Sequence, residues 1–101
     1  MSNPFREKLN KGQVCAGVLT SMPSTNMAQM LSNSGFDWLF IDMEHGAIDI
    51  ASCYNMITAT SGSACSPVVR VMEPSIPLLI HLRLVVTNGL IVIMEQQLLW
   101  L

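Results

Sequence analysis

A cluster of polar residues follows a short apolar segment near the middle of the chain. Residues 38–41 are apolar, and Asp42, Glu44 and His45 come directly after them, with Gly46 behind. Apolar runs of this length, bounded by turn residues, indicate buried strands. Ligands of parallel α/β folds bind at the carboxyl ends of the strands. The segment therefore predicts an active site at one end of a sheet.

Asp42 and His45 are three residues apart, which is a spacing that a turn can close. The Asp42 carboxylate could accept a hydrogen bond from one imidazole nitrogen and leave the other nitrogen as a general base. The simpler alternative is that Asp42 caps the turn and His45 is an ordinary loop residue. Spacing alone does not decide between the two readings.

Arg70 follows the apolar pair Val68 and Val69, so it is expected at the same end of the sheet as His45. A guanidinium there could hold a carboxylate or an enolate oxygen through paired donors. The alternative is an ion pair with Asp42 or Glu44. Glu44 could lie in the second shell around a metal ion, but a structural role for this carboxylate is the simpler expectation.

The composition limits the class of protein. The 101 residues make at most one domain, half of them are apolar, and only 12% are charged, against a typical value of about 25%. A net charge of −2 with scattered basic residues provides no electrostatic surface for nucleic acid. Three cysteines without a C-x-x-C spacing favour reduced, buried thiols and a cytoplasmic protein. Residues 76–93 are largely apolar, but His81 and Arg83 interrupt them, so membrane insertion is not expected.

Strand and helix patterns alternate along the chain. Strands are predicted at residues 14–20, 37–42, 67–71 and 89–94. Helices are predicted to begin after the caps Asn3, Ser24 and Asp49, and a weakly patterned helix is predicted at residues 75–86. This order implies βαβ units and a parallel sheet. Because no glycine-rich phosphate loop follows the first strand, we expect about half of a (β/α)8 barrel rather than a nucleotide-binding sheet.

The segment from Gly35 to Gly46, followed by residues 67–71, resembles the HpcH/HpaI aldolase and citrate lyase β-subunit family. The resemblance implies the N-terminal half of a (β/α)8 TIM barrel in one partial domain, well matched over residues 1–71 and divergent over 72–101. It further implies a class II pyruvate aldolase that uses Mg²⁺, Mn²⁺ or Co²⁺ to cleave 4-hydroxy-2-oxo acids into pyruvate and an aldehyde. Full-length members are expected to be homo-oligomers.

The resemblance also assigns roles to residues of the predicted site. His45, oriented by Asp42, would be the base that acts on the 4-hydroxyl through a metal-bound water. Arg70 would stabilise the enolate oxygen and position the pyruvate moiety. Leu19 stands where many members place an aromatic residue in the wall of the substrate pocket.

The metal ligands of the family would lie beyond Leu101, so we expect the chain alone to be inactive. Ile93 replaces an expected proline, and residues 96–101 match no pattern of the family. A truncated gene product or an altered reading of the 3′ half would explain these departures. The alternative to an aldolase is therefore a non-catalytic, degenerate fragment that persists by associating with another chain.

Overall fold

The structure, a computed structural model, describes residues 4–71, 90–93 and 98–100. The elements in chain order are α1 (Pro4–Asn10), β1 (Gly17–Thr20), α2 (Thr25–Ser32), β2 (Trp38–Asp42), α3 (Ile50–Ala59), β3 (Ser66–Val71), β4 (Leu90–Ile93) and β5 (Leu98–Trp100). The five strands form one sheet in sequence order. β1 to β4 pair in parallel, which confirms the predicted half of a parallel barrel.

Two of the three predicted helix caps lie where the sequence placed them, and the third, Asn3, lies outside the described residues. The Ser24 side chain accepts a hydrogen bond from the Met27 amide at 3.1 Å, and the Asp49 side chain accepts one from the Ser52 amide at 2.7 Å. These bonds satisfy amides that a helix N-terminus otherwise leaves without partners. The caps of α2 and α3 are therefore confirmed, whereas the helix predicted at residues 75–86 lies outside the described residues.

The sheet ends differ from the prediction in two places. β1 begins at Gly17 rather than at residue 14, and the Val14 residue before it is 92% exposed. β5 was not predicted, and it pairs antiparallel with β4. An apolar run of three residues is too short to indicate a strand from sequence alone. Parallel pairing needs a crossover of about a dozen or more residues, and β5 follows β4 too closely in sequence for that.

The two faces of the sheet have different neighbours. The outer face packs against α2 and α3, and its core includes Leu39, Ile41, Val69 and Val71 from the strands. The inner face carries alternate residues of the same strands, as the two-residue period of a strand requires. Phe5 of α1 packs on the inner face, in a cluster with Val68, Trp38, Phe40 and Cys15.

Gly17 leaves room for the Trp38 ring on the inner face of the sheet. A Cβ atom at this position would lie 2.0 Å from the ring of Trp38, so no larger residue fits while the ring keeps its place. The Trp38 ring contacts Phe5 on one side and Phe40 on the other, with ring centroids 6.4 and 6.3 Å away. The part of the inner face nearest the amino ends of the strands is thus lined by aromatic side chains. The polar residues of the predicted site lie above them.

Candidate active site

The parallel register of β2 and β3 places Asp42 directly beside Arg70. The partners preceding them on the same face are Phe40 and Val68. Both polar residues therefore lie at the carboxyl end of the inner face. Asp42 and Arg70 come together because the register pairs the last residue of β2 with the penultimate residue of β3.

A two-point contact joins these two side chains. Arg70 Nε donates to Asp42 Oδ1 at 3.1 Å, and Arg70 Nη2 donates to Asp42 Oδ2. The Asp42 side chain is only 3% exposed, whereas that of Arg70 is 30% exposed. Paired hydrogen bonds of this kind fix the plane of a guanidinium as well as its position. Asp42 therefore holds Arg70 in one orientation at the end of the sheet.

Asp42 also holds the loop that follows β2. Its Oδ1 atom accepts hydrogen bonds from the backbone amides of Glu44 at 2.9 Å and His45 at 3.0 Å. Burial raises the pKa of Asp42, but the hydrogen bonds from Arg70 and from these two amides outweigh burial and lower the pKa to about 2. The carboxylate is therefore ionised at neutral pH. The turn-capping reading of Asp42 is confirmed.

Arg70 has two further neighbours besides Asp42. Its Nε atom lies 3.4 Å from Glu44 Oε2, and its guanidinium carbon lies 5.4 Å from the centre of the Phe40 ring. The hydrogen bond with Asp42 and the charges of both carboxylates raise the pKa of Arg70. The ion-pair alternative for Arg70 is thus confirmed with both Asp42 and Glu44. A guanidinium is always charged and can still donate from its exposed edge, so the ion pair does not exclude a role in binding.

His45 lies beside the guanidinium rather than on the aspartate. Its Nδ1 atom is 2.9 Å from Arg70 Nη2 but 3.7 Å from Asp42 Oδ2, and its side chain is 70% exposed. The expected hydrogen bond between the Asp42 carboxylate and the imidazole is therefore not formed. The physical reason is that Arg70 and two backbone amides already occupy the carboxylate oxygens. Asp42 positions the backbone of His45, not its ring.

Leu19 occupies the inner-face position of β1 beside Phe40, its partner in the register. Its side chain is 55% exposed, so it borders open space next to the aromatic residues. This location agrees with a residue that lines a pocket. The pocket-wall role of Leu19 stays a prediction.

Sequence reasoning missed the contribution of Gly46. Its φ angle is +120°, and a Cβ atom here would lie 2.6 Å from the backbone oxygen of Ser21. The loop after β2 consequently packs directly against the loop after β1. A glycine immediately after the polar cluster was the available signal. A glycine at that place indicates the end of the cluster but not the contact with Ser21.

The described residues do not fit a metal site. Among residues 4–71 and the described tail strands, no three His, Cys, Asp or Glu side chains gather as metal ligands would. The Asp42 oxygens are occupied by Arg70 and the loop amides, and Glu44 Oε2 faces the same guanidinium. A cation placed here would have to displace Arg70.

No described helix is both long and apolar enough to cross a membrane.

Comparison with known proteins identifies the family of the chain. Residues 17–95 match the HpcH/HpaI aldolase/citrate lyase family. Over 79 residues the chain is 42% identical to the 2-keto-3-deoxy-L-rhamnonate aldolase of Escherichia coli O9:H4 (strain HS). The match covers 78% of the chain but only 30% of that aldolase. The chain thus spans less than a third of the curated relatives that it matches.

Solved structures show the same fold. An HpcH/HpaI aldolase/citrate lyase family protein from Burkholderia cenocepacia J2315 superposes with a TM-score of 0.62 and 33% identity, covering 69% of this chain and 28% of that chain. The citrate synthase SbnG superposes with a TM-score of 0.66 and 29% identity, covering 76% and 33%. Macrophomate synthase, at 24% identity and a TM-score of 0.73, covers 90% of this chain and 31% of its own and shares the fold. By sequence match and by fold, the chain belongs to the HpcH/HpaI aldolase/citrate lyase family.

Proposed function

We propose that this chain forms part of the active site of a carbon–carbon lyase, which cleaves 4-hydroxy-2-oxo acids into pyruvate and an aldehyde. The observation that supports the proposal most is the guanidinium of Arg70. It is held rigidly by Asp42 at the carboxyl end of the inner face, with His45 Nδ1 2.9 Å away. A fixed cation beside an imidazole suits a reaction in which an anionic oxygen develops while a proton is removed.

We infer the substrate class from the chemistry that the name of one similar protein states. A 2-keto-3-deoxy sugar acid has a carbonyl at C2, no oxygen at C3 and a hydroxyl at C4, so it is a 4-hydroxy-2-oxo acid. Its carboxylate and C2 carbonyl would lie against Arg70. Its C4 hydroxyl would lie toward His45. The aldehyde contains C4 and the carbons beyond it. Selectivity for this part of the substrate would then depend on side chains outside this cluster.

Each side chain has a separate role in the proposed reaction. His45 removes the proton of the C4 hydroxyl, the C4–O bond becomes a carbonyl, and the electrons of the breaking C3–C4 bond pass into an enolate. Arg70 donates hydrogen bonds to the enolate oxygen at C2. The proton that His45 removed is then returned to C3, directly or through water, which gives pyruvate and restores the neutral imidazole. Asp42 keeps Arg70 in place and remains an anion throughout.

A segment exchange tests this proposal. Residues 17–95 would replace the matching segment of the Escherichia coli aldolase, and pyruvate release from 2-keto-3-deoxy-L-rhamnonate would be followed with lactate dehydrogenase. We expect the chimera to release pyruvate. A folded chimera that releases none, while the parent aldolase does, would contradict the proposal. The 101-residue chain alone, assayed with Mg²⁺, Mn²⁺ or Co²⁺, is expected to release none.

A second candidate function is a non-catalytic one, in which the chain persists by associating with another chain. The observation that favours it is the apolar inner face, where a cavity of about 310 Å³ is lined by Phe5, Leu9, Cys15, Trp38, Phe40 and Val68. Leu9 and Leu19 are 45% and 55% exposed. Exposed apolar patches of this kind favour association. Light scattering that shows a monodisperse monomer would count against this candidate.

A further inference from the structure

The contact between Arg70 and His45 determines where the imidazole proton lies. Arg70 Nη2 and His45 Nδ1 are 2.9 Å apart, which is a hydrogen-bond distance. A guanidinium carries only donors and does not deprotonate in proteins. The donor in this pair is therefore Arg70, and His45 Nδ1 must be the acceptor.

An accepting Nδ1 atom leaves one place for the proton of a neutral imidazole, which is Nε2. Neither carboxylate near the ring is close enough to decide the tautomer, since Glu44 Oε1 lies 3.9 Å from Nε2, beyond hydrogen-bond distance. Asp42 Oδ2, at 3.7 Å from Nδ1, is too far to hold a proton on Nδ1. Of these three charged groups, only Arg70 lies within hydrogen-bond distance of the ring, and it favours the Nε2–H tautomer.

We infer that Arg70 is a positioning residue for His45: it holds the imidazole as the Nε2–H tautomer and occupies Nδ1, its only proton-accepting nitrogen. A base needs a free lone pair, so His45 cannot take a substrate proton while this contact lasts. An anionic oxygen that drew Nη2 away from the ring would free Nδ1. This inference deepens the proposed function and rests on it for its catalytic meaning. The tautomer of His45 and its contact with Arg70 can be measured without any enzyme activity.

The test is the ring nitrogen spectrum of His45 in the ligand-free chain. The uniformly ¹⁵N-labelled 101-residue chain would be recorded at a pH where the ring is neutral, with His45 assigned by comparison with His45→Asn. We expect a pyridine-type Nδ1, a pyrrole-type Nε2, and an Nδ1–H tautomer fraction far below that of a histidine peptide in water. An Nδ1–H fraction equal to that of the peptide would overturn the inference, and this result needs no variant to fold.

Variants then identify the residue responsible. Arg70→Met removes the donor, so the Nδ1–H fraction should rise about fivefold or more, toward the peptide value. Arg70→Lys retains a donor and should restore the low fraction at least in part. Arg6→Met makes the same exchange at an exposed position of α1 and should leave the Nδ1–H fraction of His45 unchanged. An equal Nδ1–H fraction in the wild-type chain and Arg70→Met would refute the role of Arg70.

The two proposals can fail separately. A chimera without aldolase activity would leave the tautomer result unaffected, because the spectrum contains no substrate. If the chimera is active but the two tautomers of His45 exchange freely, the proposed function stands. Only the inference that Arg70 sets the tautomer of His45 would then be wrong.

Discussion

The buried carboxylate of Asp42 binds Arg70 of the neighbouring strand and the backbone of His45 at the same time. Its Oδ1 atom alone accepts from Arg70 Nε at 3.1 Å, from the Glu44 amide at 2.9 Å and from the His45 amide at 3.0 Å. The end of β2, the loop after it and the end of β3 are therefore fixed by one side chain. Removing this carboxylate should disturb all three together.

Replacing Asp42 with Asn should destabilise the fold. The substitution leaves the Arg70 charge without its main partner and weakens the hydrogen bonds of the loop. We expect the free energy of unfolding in urea to fall by about 2–3 kcal/mol, at or just below the range for a broken buried pair because Arg70 is partly exposed. Glu7→Gln, on the exposed side of α1, is the control and should stay within about 0.5 kcal/mol of wild type.

Acid should weaken the fold through the same group. The pKa of Asp42 is about 2 in the folded chain and 3.8 at its ordinary value, so its stabilisation is complete above pH 3.8 and is lost as the pH falls toward 2. The difference corresponds to about 2 kcal/mol. Urea unfolding at stepped pH should show a drop across this window that Asp42→Asn reduces. An equally steep drop in the variant would assign the acid sensitivity to other groups.

Gly46→Ala should cost more stability than Gly12→Ala. Both glycines have a positive φ angle, at +120° and +70°, so an alanine strains the backbone at either position. Only at Gly46 would the new Cβ atom also meet a neighbour, the backbone oxygen of Ser21 at 2.6 Å. We expect about 1 kcal/mol for Gly12→Ala and at least twice that for Gly46→Ala. Equal losses in thermal or urea unfolding would show that the loop contact contributes nothing.

Cysteine labelling should separate Cys15 from the other two thiols. Burial raises the pKa of Cys53 to about 12 and that of Cys65, which also lies near Asp37, to about 11. The thiolate is the reactive form, so both should react slowly in the folded chain. Cys15 is only partly buried. Iodoacetamide followed by peptide mass spectrometry should therefore modify Cys15 first, and all three at similar rates in urea.

The strands β1 to β4 and the caps of α2 and α3 could be predicted, because each is indicated by a local sequence pattern. Ser24 and Asp49 precede apolar helical patterns. The apolar runs of β2 and β3 are followed by the polar residues of the candidate site. The expectation that Cys15 is buried was wrong in degree, since it is only partly buried, whereas Cys53 and Cys65 are buried as predicted. The family itself could be identified from residues 35–46 and 67–71.

The partners within the site could not be predicted, because they depend on register and on competition for one carboxylate. Spacing brought His45 within reach of Asp42, but it could not show that Arg70 occupies both carboxylate oxygens. Likewise, the position of Phe40 beneath Arg70 follows from the pairing of Phe40 with Val68, two residues before Arg70. Pairings of this kind are properties of the assembled sheet.

In the proposed reaction, Arg70 stabilises the enolate of a 2-oxo acid. The most direct measurement is kcat/KM for pyruvate release by the chimera that contains residues 17–95, with and without Arg70→Met. We predict a loss of about 100-fold or more for Arg70→Met, a smaller loss for Arg70→Lys, and no change for Asn55→Ala on the exposed side of α3. A folded Arg70→Met chimera with kcat/KM within about twofold of its parent would contradict the account.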